Sequence, residues 1–276
     1  MAGMMITTSC HKSKHSAVTT PVSNINGLTA MRHRTAFDTG FTYASPYITW
    51  NFSGTNPIEA MPNTDTFYFG HQQLSFTGSN ATQLVYYNNY SGNSIYSGLT
   101  TNISYTTANQ IDTITFQYTI HVFGAEKIAF QYSGDKITKV IVAHTSNVSD
   151  TFHWSTPDVY HYTYTGNNIS QISILRWFST DSEIHNYFMD SRSNNFAGSI
   201  PTFLLLEFLQ GASVSIDPFL LDMPFYTNAN IVDSVSGGTV GGYISRSTIT
   251  TITDATGRIT QHIFNGSSPD TVFYSY

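Results

Sequence analysis

A unit of 13 residues occurs twice in the middle of the sequence, and this repeat constrains the fold more than any other feature. Phe130–Val142 aligns with Tyr162–Ile174, which begins 32 residues later. In each copy two aromatic residues stand two positions apart, so both rings lie on one face of a strand, because strand side chains alternate with period two. A turn and a second β-branched strand follow. The repeat therefore predicts β-hairpins that share one sheet.

The turns of the two copies, Ser133–Lys136 and Thr165–Asn168, supply the Gly, Asn and Asp residues that tolerate positive φ in tight hairpins. Looser copies of the unit are predicted at Tyr105–Ile114, Tyr226–Val235 and Ile252–Phe264. Upstream, residues 73–90 and 96–117 continue the alternation. Residues 34–70 are rich in Pro, Gly and Asn, and they predict an irregular cap.

The composition agrees with an all-β chain, because Thr, Tyr, Phe, Ile and Val favour strands while charged residues make up only 10%. We predict an antiparallel meander of repeated β-hairpins that forms a large twisted sheet, with residues 28–276 as a single domain and the repeat hairpins at about 103–276. One short helical insert is predicted near 199–211, since Pro201 suits the first helical turn and Gly211 could end the helix.

The hairpin unit of aromatic, glycine and β-branched residues resembles the YD-repeat and Rhs class of proteins. It resembles more closely the YD-like repeats of uncharacterised bacterial surface lipoproteins. The segment Asp190–Gly198, followed by Phe203–Leu206, is similar to the insert that such lipoproteins place between hairpins. The resemblance covers roughly 103–276. It implies an extracytoplasmic all-β architecture and no particular activity, because the function of that family is itself unsettled.

The single cysteine, Cys10, cannot form an intrachain disulfide, so it is a buried small hydrophobe, a reactive thiol or a site of modification. Small residues precede it and the polar, basic stretch His11–Lys14 follows. This pattern resembles the end of a bacterial lipoprotein signal, the lipobox, which implies that Cys10 is lipidated. Thr7 stands where that signal usually has Leu, and only Ala2–Ile6 precede it, which a late start or a trimmed leader would explain.

On this hypothesis residues 1–27 are a lipobox remnant and a flexible tether. The protein would be held at the bacterial cell envelope, lipid-anchored to the outer membrane, with the periplasmic or surface face left open. The alternative is a tail in which Cys10 is incidental. The membrane would then not be a partner through this segment.

Charge and apolar patterning disfavour two further classes of protein. The 11 basic and 17 acidic residues give a net charge of −6, and the one basic cluster is Met31–Arg34, so we expect no nucleic-acid partner. A membrane-spanning helix needs about 20 apolar residues. The nearest run, Phe203–Leu206, is interrupted at Glu207 and is the size of a core segment.

The sequence predicts no catalytic residue, no cofactor and no metal site. His153 and His161 lack metal-ligand spacing, and Glu183–His185 suggests a surface strand pair rather than two ligands. Gly237–Gly242 lacks the Gly-Lys-Ser/Thr ending of a phosphate loop and predicts a flexible strand connection. The acids that could still converge as a glycosidase pair are Glu183, Glu207, Asp217 and Asp222.

Three function classes remain, and an enzyme is the least favoured of them. The leading hypothesis is a non-catalytic envelope protein that acts as a scaffold or interaction surface. The alternative is a glycan-binding module, since exposed aromatic rings stack on sugars, with core packing as the competing interpretation of each ring. The candidate rings are Trp50, Trp154, Tyr160, Tyr162 and Trp177. The second alternative is a polysaccharide-acting hydrolase, which would require convergent polar groups in a pocket.

Overall fold

The architecture is taken from a computed structural model. It describes residues 30–34, 48–53, 56–62, 71–78, 80–88, 96–118, 125–145, 157–197, 216–240, 242, 244–265 and 270–276. The described chain is mostly antiparallel strand with one helix, so the predicted all-β meander is confirmed.

The described residues form sixteen strands and one helix, α1, at Ile216–Thr227. The strands are β1 Ala30–Arg34, β2 Ile48–Ser53, β3 Asn56–Pro62, β4 His71–Thr77, β5 Asn80–Asn88, β6 Tyr96–Tyr105, β7 Ile111–Tyr118, β8 Ala125–Ser133, β9 Lys136–Thr145, β10 Asp158–Thr165, β11 Asn168–Leu175, β12 Ser182–Ser193, β13 Asn230–Thr239, β14 Ile244–Thr253, β15 Ile259–Asn265 and β16 Asp270–Ser275. Each strand pairs with its neighbours in sequence. Because β1 also pairs with β16, the sheet closes into a barrel.

The two faces of the sheet differ sharply in chemistry. On β10, Tyr160 and Tyr162 are buried, whereas His161 and Thr163 between them are exposed, as period-two alternation requires. Side chains such as Ile128 and Ile172 are 0% exposed. Side chains on the outer face of a barrel are accessible from outside, so these fully buried residues point inward. The core therefore fills the inside of the barrel.

Tight turns lie together at one end of the barrel, which we call the turn rim. It holds the β4–β5, β6–β7, β8–β9, β10–β11 and β14–β15 turns. In each of them one residue has positive φ: Gly78, Asn109, Gly134, Gly166 or Gly257. A β-bulge also occurs in each hairpin just before its turn. This shared geometry confirms the close pair of hairpins and the looser copies at 105–114 and 252–264.

Tyrosine hydroxyls join successive hairpins at the turn rim. Tyr105 donates to the carbonyl of Ala81 at 2.9 Å, and Tyr132 donates to that of Ile111 at 2.8 Å. In both cases the acceptor is at or next to the start of the second strand of the preceding hairpin. Burial raises the pKa of Tyr105 to about 12, which keeps its hydroxyl protonated as a donor. The repeat is therefore a set of hairpins linked in sequence order.

Helix α1 lies inside the barrel, because its carbonyls meet inward-pointing tyrosines. Tyr162 donates to the carbonyl of Leu220 at 3.2 Å, and Tyr187 donates to that of Leu221 at 2.8 Å. The helical insert predicted near 199–211 falls within residues 198–215, outside the described ranges. The observed helix follows that segment directly.

Two sequence predictions about the strand arrangement, one for 226–235 and one for 34–70, are wrong in the described chain. The proposed hairpin copy at 226–235 is a junction, because α1 runs to Thr227 and β13 begins at Asn230. The irregular cap predicted for 34–70 contains β2 and β3, which form a hairpin that continues the barrel. Pro and Gly in that segment indicated turns, but its Ile, Trp and Phe residues pair in strands.

Candidate functional site

The end of the barrel opposite the turn rim, which we call the loop rim, carries exposed aromatic residues. The connection between β11 and β12 spans residues 176–181 and lies at this end. Trp177 is 57% exposed and Phe178 is 70% exposed. Such exposure of two neighbouring large rings is unusual for a surface loop and marks it as a candidate contact site.

Other exposed apolar side chains gather at the same rim. We call the set Leu175, Trp177, Phe178 and Val240 the apolar rim cluster. The β13–β14 connection adjoins the first loop, since the amide of Val240 donates to the carbonyl of Ser182 at 3.0 Å. These four are among the six exposed large hydrophobic residues whose side chains the structure describes. The clustering points to one surface rather than scattered exposure.

An internal ion network holds the base of the loop. Arg176 binds Glu183 through two nitrogens, at 2.8 and 3.2 Å, in the bidentate geometry that gives strong charge-assisted bonds. The same guanidinium lies 3.3 Å from Asp158 and donates to the Tyr160 hydroxyl at 2.9 Å. The Arg176 and Asp158 side chains are each only 10% exposed. The network thus ties three strands together below the aromatic residues.

Asp158 also fixes the backbone of the loop. One of its carboxylate oxygens accepts a 2.8 Å hydrogen bond from the amide of Trp177, while the other faces Arg176. The guanidinium lies 5.6 Å from the centre of the Tyr160 ring, within the range of a cation–π contact. The backbone of the loop is therefore anchored at its base, beneath the exposed rings.

The two exposed rings are perpendicular. Trp177 and Phe178 have centroids 5.6 Å apart and an interplanar angle of 88°. This edge-to-face arrangement is a favoured aromatic geometry. It does not present two coplanar faces, so the pair forms a convex apolar knob rather than a flat platform.

The structure separates the five rings predicted for ligand binding. Trp177 is exposed as that hypothesis requires. Tyr160 and Tyr162 are 1% and 5% exposed, so neither is a surface ring, because both point into the core. Trp50 lies on β2, outside the set of described side chains, and Trp154 lies outside the described residues, as does the lipidation candidate Cys10.

The remaining polar candidates have structural partners. Glu183 and His185 share the inward face of β12 with the buried Tyr187, and the buried Nε2 of His185 lies 3.8 Å from the carboxylate, so the predicted surface strand pair is wrong. Gly237 lies within β13 and not in a flexible connection. A Cβ there would lie 2.5 Å from His185 Nδ1, so glycine makes room for the imidazole. Glu207 lies outside the described residues.

Sequence reasoning missed Arg176, Asp158 and Phe178. The available signal was the run Leu175–Phe178 at the end of a predicted strand, where apolar residues continue into a loop. The partners of Arg176 come from two other strands, so only the fold brings them together.

Two features are absent from the described residues. They contain no group of three or more His, Cys, Asp or Glu residues placed to hold a metal ion. Within the same ranges, no helix is long and apolar enough to cross a membrane.

Together the fold and the rim define a class of protein: a closed antiparallel barrel with an apolar interior and a braced aromatic loop at one end. Among solved structures the chain is similar to a porin-like protein from Bacteroides uniformis, with a TM-score of 0.47, 11% identity and coverage of 83% of each chain. It is also similar to a porin-like protein from Bacteroides vulgatus, with a TM-score of 0.35, 12% identity and coverage of 84% of this chain and 86% of that one. No family model matches the sequence. No curated protein matches it either.

Proposed function

We propose that the protein is a non-catalytic interaction protein of the bacterial cell envelope and that the apolar rim cluster is its contact surface. The observation that carries this proposal is the gathering of exposed apolar side chains on a braced loop. The polar groups beneath them, Arg176, Asp158 and Glu183, are bonded to one another. These charged side chains therefore hold the loop in place.

Site-specific crosslinking tests the contact surface. A photoreactive amino acid at position 178 in the full chain should give crosslinked products in the native envelope. The matched control is position 188, because Phe188 is also exposed, at 44%, but lies on β12 away from the loop rim. Equal products from both positions, or none from position 178, would contradict the proposal.

The proposed attachment to the envelope is acylation of Cys10. Expression of the full chain behind a complete lipoprotein leader, with a labelled fatty acid in the medium, should label the protein. A Cys10→Ala variant should carry no label. Labelling of both proteins, or of neither, rejects the anchor and leaves the contact surface untouched.

Glycan binding is a second candidate, favoured by the exposure of Trp177. A ring that is 57% exposed can stack on a single sugar. The perpendicular Phe178 prevents a second coplanar sugar from stacking on the pair. A glycan array with the full chain should therefore show binding to a terminal sugar that Trp177→Ala abolishes. An absence of binding to every glycan on the array would exclude glycan binding as the function.

A further inference from the structure

We infer that the apolar rim cluster docks on a neutral lipid bilayer, where its rings enter the interface between headgroups and acyl chains. This inference rests on the proposed function only in using the same contact surface. It is carried by the shape, the area, the charge and the rigidity of that surface.

The shape of the cluster suits a soft, flat partner. The perpendicular rings of Trp177 and Phe178 project from a loop that ends β11, with Leu175 and Val240 beside them. A convex knob needs a matching cavity on a folded partner, whereas lipids rearrange around it. Trp in particular is enriched at membrane interfaces, because its ring is apolar and its N–H is polar.

The area of the cluster is too small for a second copy of the chain. Two partly exposed rings and two aliphatic side chains offer a few hundred Å² at most, against the roughly 800 Å² per partner that a standard protein interface buries. Lipid docking has no such requirement, since a few inserted side chains give weak, reversible binding. Binding of that kind adds to the effect of an acyl anchor.

Charge at the rim indicates neutral rather than anionic lipids. In the described loop the cation is Arg176, and its guanidinium is bound by Glu183 and Asp158. The exposed Arg246, near the start of β14, places its guanidinium over the Phe188 ring on the barrel wall. Asp181 is exposed in the same loop. Such a surface gains nothing from anionic headgroups, so docking should depend little on salt.

The rigidity of the loop keeps the rings available. Because Asp158 holds the Trp177 amide and Arg176 holds Asp158, the backbone that carries the rings is fixed in the absence of a partner. Little ordering entropy is then lost on docking. Replacing Arg176 should therefore weaken docking even though its side chain is not part of the exposed cluster.

An anchored protein could reach its own membrane with this rim. β1 starts at Ala30, at the turn rim, and 19 residues separate it from Cys10. Extended, they span about 60 Å, whereas a 10-residue strand such as β9 spans about 34 Å. The tether is long enough to pass the barrel.

The test is flotation of the full chain, as a Cys10→Ser variant that cannot be acylated, with phosphatidylcholine vesicles. We expect binding that persists in about 0.5 M salt, where exposed charges are strongly screened. Phe178→Ser and Trp177→Ser should each weaken it at least tenfold. The matched control is Phe188→Ser, which removes an exposed ring of the same type from the barrel wall and should change nothing.

The outcomes distinguish the inference from its alternatives. No flotation, or equal losses in Phe178→Ser and Phe188→Ser, overturns lipid docking while the proposed contact with an envelope protein stands. Binding only to anionic vesicles overturns it as well. A dimer that depends on Trp177, seen by light scattering, would assign the cluster to a second copy. Circular dichroism melts of each variant establish that the loss is not unfolding.

Discussion

His262 is a buried histidine whose protonation makes the stability of this fold depend on pH. It is 2% exposed, and its Nδ1 lies 3.0 Å from the Tyr274 hydroxyl, with Phe225 and Phe264 around it. Burial lowers its pKa from 6.5 to about 4. The unfolded chain therefore binds a proton that the folded chain excludes between these values. The contribution of His262 to the free energy of unfolding is fully present above pH 6.5. It falls by about 3 kcal/mol as the pH drops towards 4.

Urea unfolding at pH 7 and at pH 4.5 measures this loss. In His262→Phe the dependence of stability on pH should shrink by the contribution of one proton. His161→Phe, the same substitution at a histidine exposed on the outer face, is the control for a general effect of the replacement. An unchanged pH dependence in His262→Phe would show that another group is responsible.

At the turn rim the side chain of Asn228 takes the place of a neighbouring strand, because it bonds the backbone of Ile169. Its side chain is fully buried, and its amide accepts from the Ile169 N–H at 2.6 Å and donates to the Ile169 carbonyl at 3.1 Å. Asn228→Ala would leave both backbone groups unpaired, so we expect a loss of roughly 2–4 kcal/mol. Asn167→Ala, at an exposed turn position, should stay within about 0.5 kcal/mol. Chemical denaturation compares the two, and equal losses would be inconsistent with this role.

Hydrogen bonds from tyrosine hydroxyls link neighbouring hairpins of the barrel. Tyr132→Phe keeps the ring and removes only the hydroxyl that bonds the Ile111 carbonyl, so it should cost about 1 kcal/mol. Tyr105→Phe should cost a similar amount, and the double variant should depart from additivity, because Tyr105 pairs with Ile111, whose carbonyl accepts the Tyr132 bond. Midpoints of urea unfolding provide the measurement. No loss in either single variant would mean that the bonds are not stabilising.

At the scale of single hairpins the sequence predicted much of the set, because the signals are local. The aromatic pair, the turn glycine and the β-branched strand stand within 13 residues of one another. Gly134 and Gly166 therefore predicted the positions of their turns. The 226–235 copy failed because tertiary contacts decide it: α1 packs on Tyr162 and Tyr187, and its helix replaces the first strand. The Arg176 network likewise joins residues up to 18 positions apart, a separation that no local pattern reveals.

Closure of the barrel is a property of the whole molecule that no repeat predicts. β1 and β16 come from opposite ends of the described chain and pair over five residues, from Ala30 with Ser275 to Arg34 with Thr271. An open array of hairpins would be a sum of units, in which damage to a terminal unit leaves the others folded. In a closed barrel the last strand has partners on both sides, so its loss opens the entire sheet.

Val272→Asp tests this difference. Val272 is 3% exposed and lies in β16, between β15 and β1, so a buried carboxylate there should break both pairings. We expect the midpoints reported by far-UV circular dichroism and by tryptophan fluorescence to fall together, because the barrel unfolds as one unit. Thr271→Asp, on the opposite face of the same strand, should have a much smaller effect. If Val272→Asp instead left a separate transition at the wild-type temperature, the hairpins distant from β16 would be folding as an open array, and the closing pair would be dispensable.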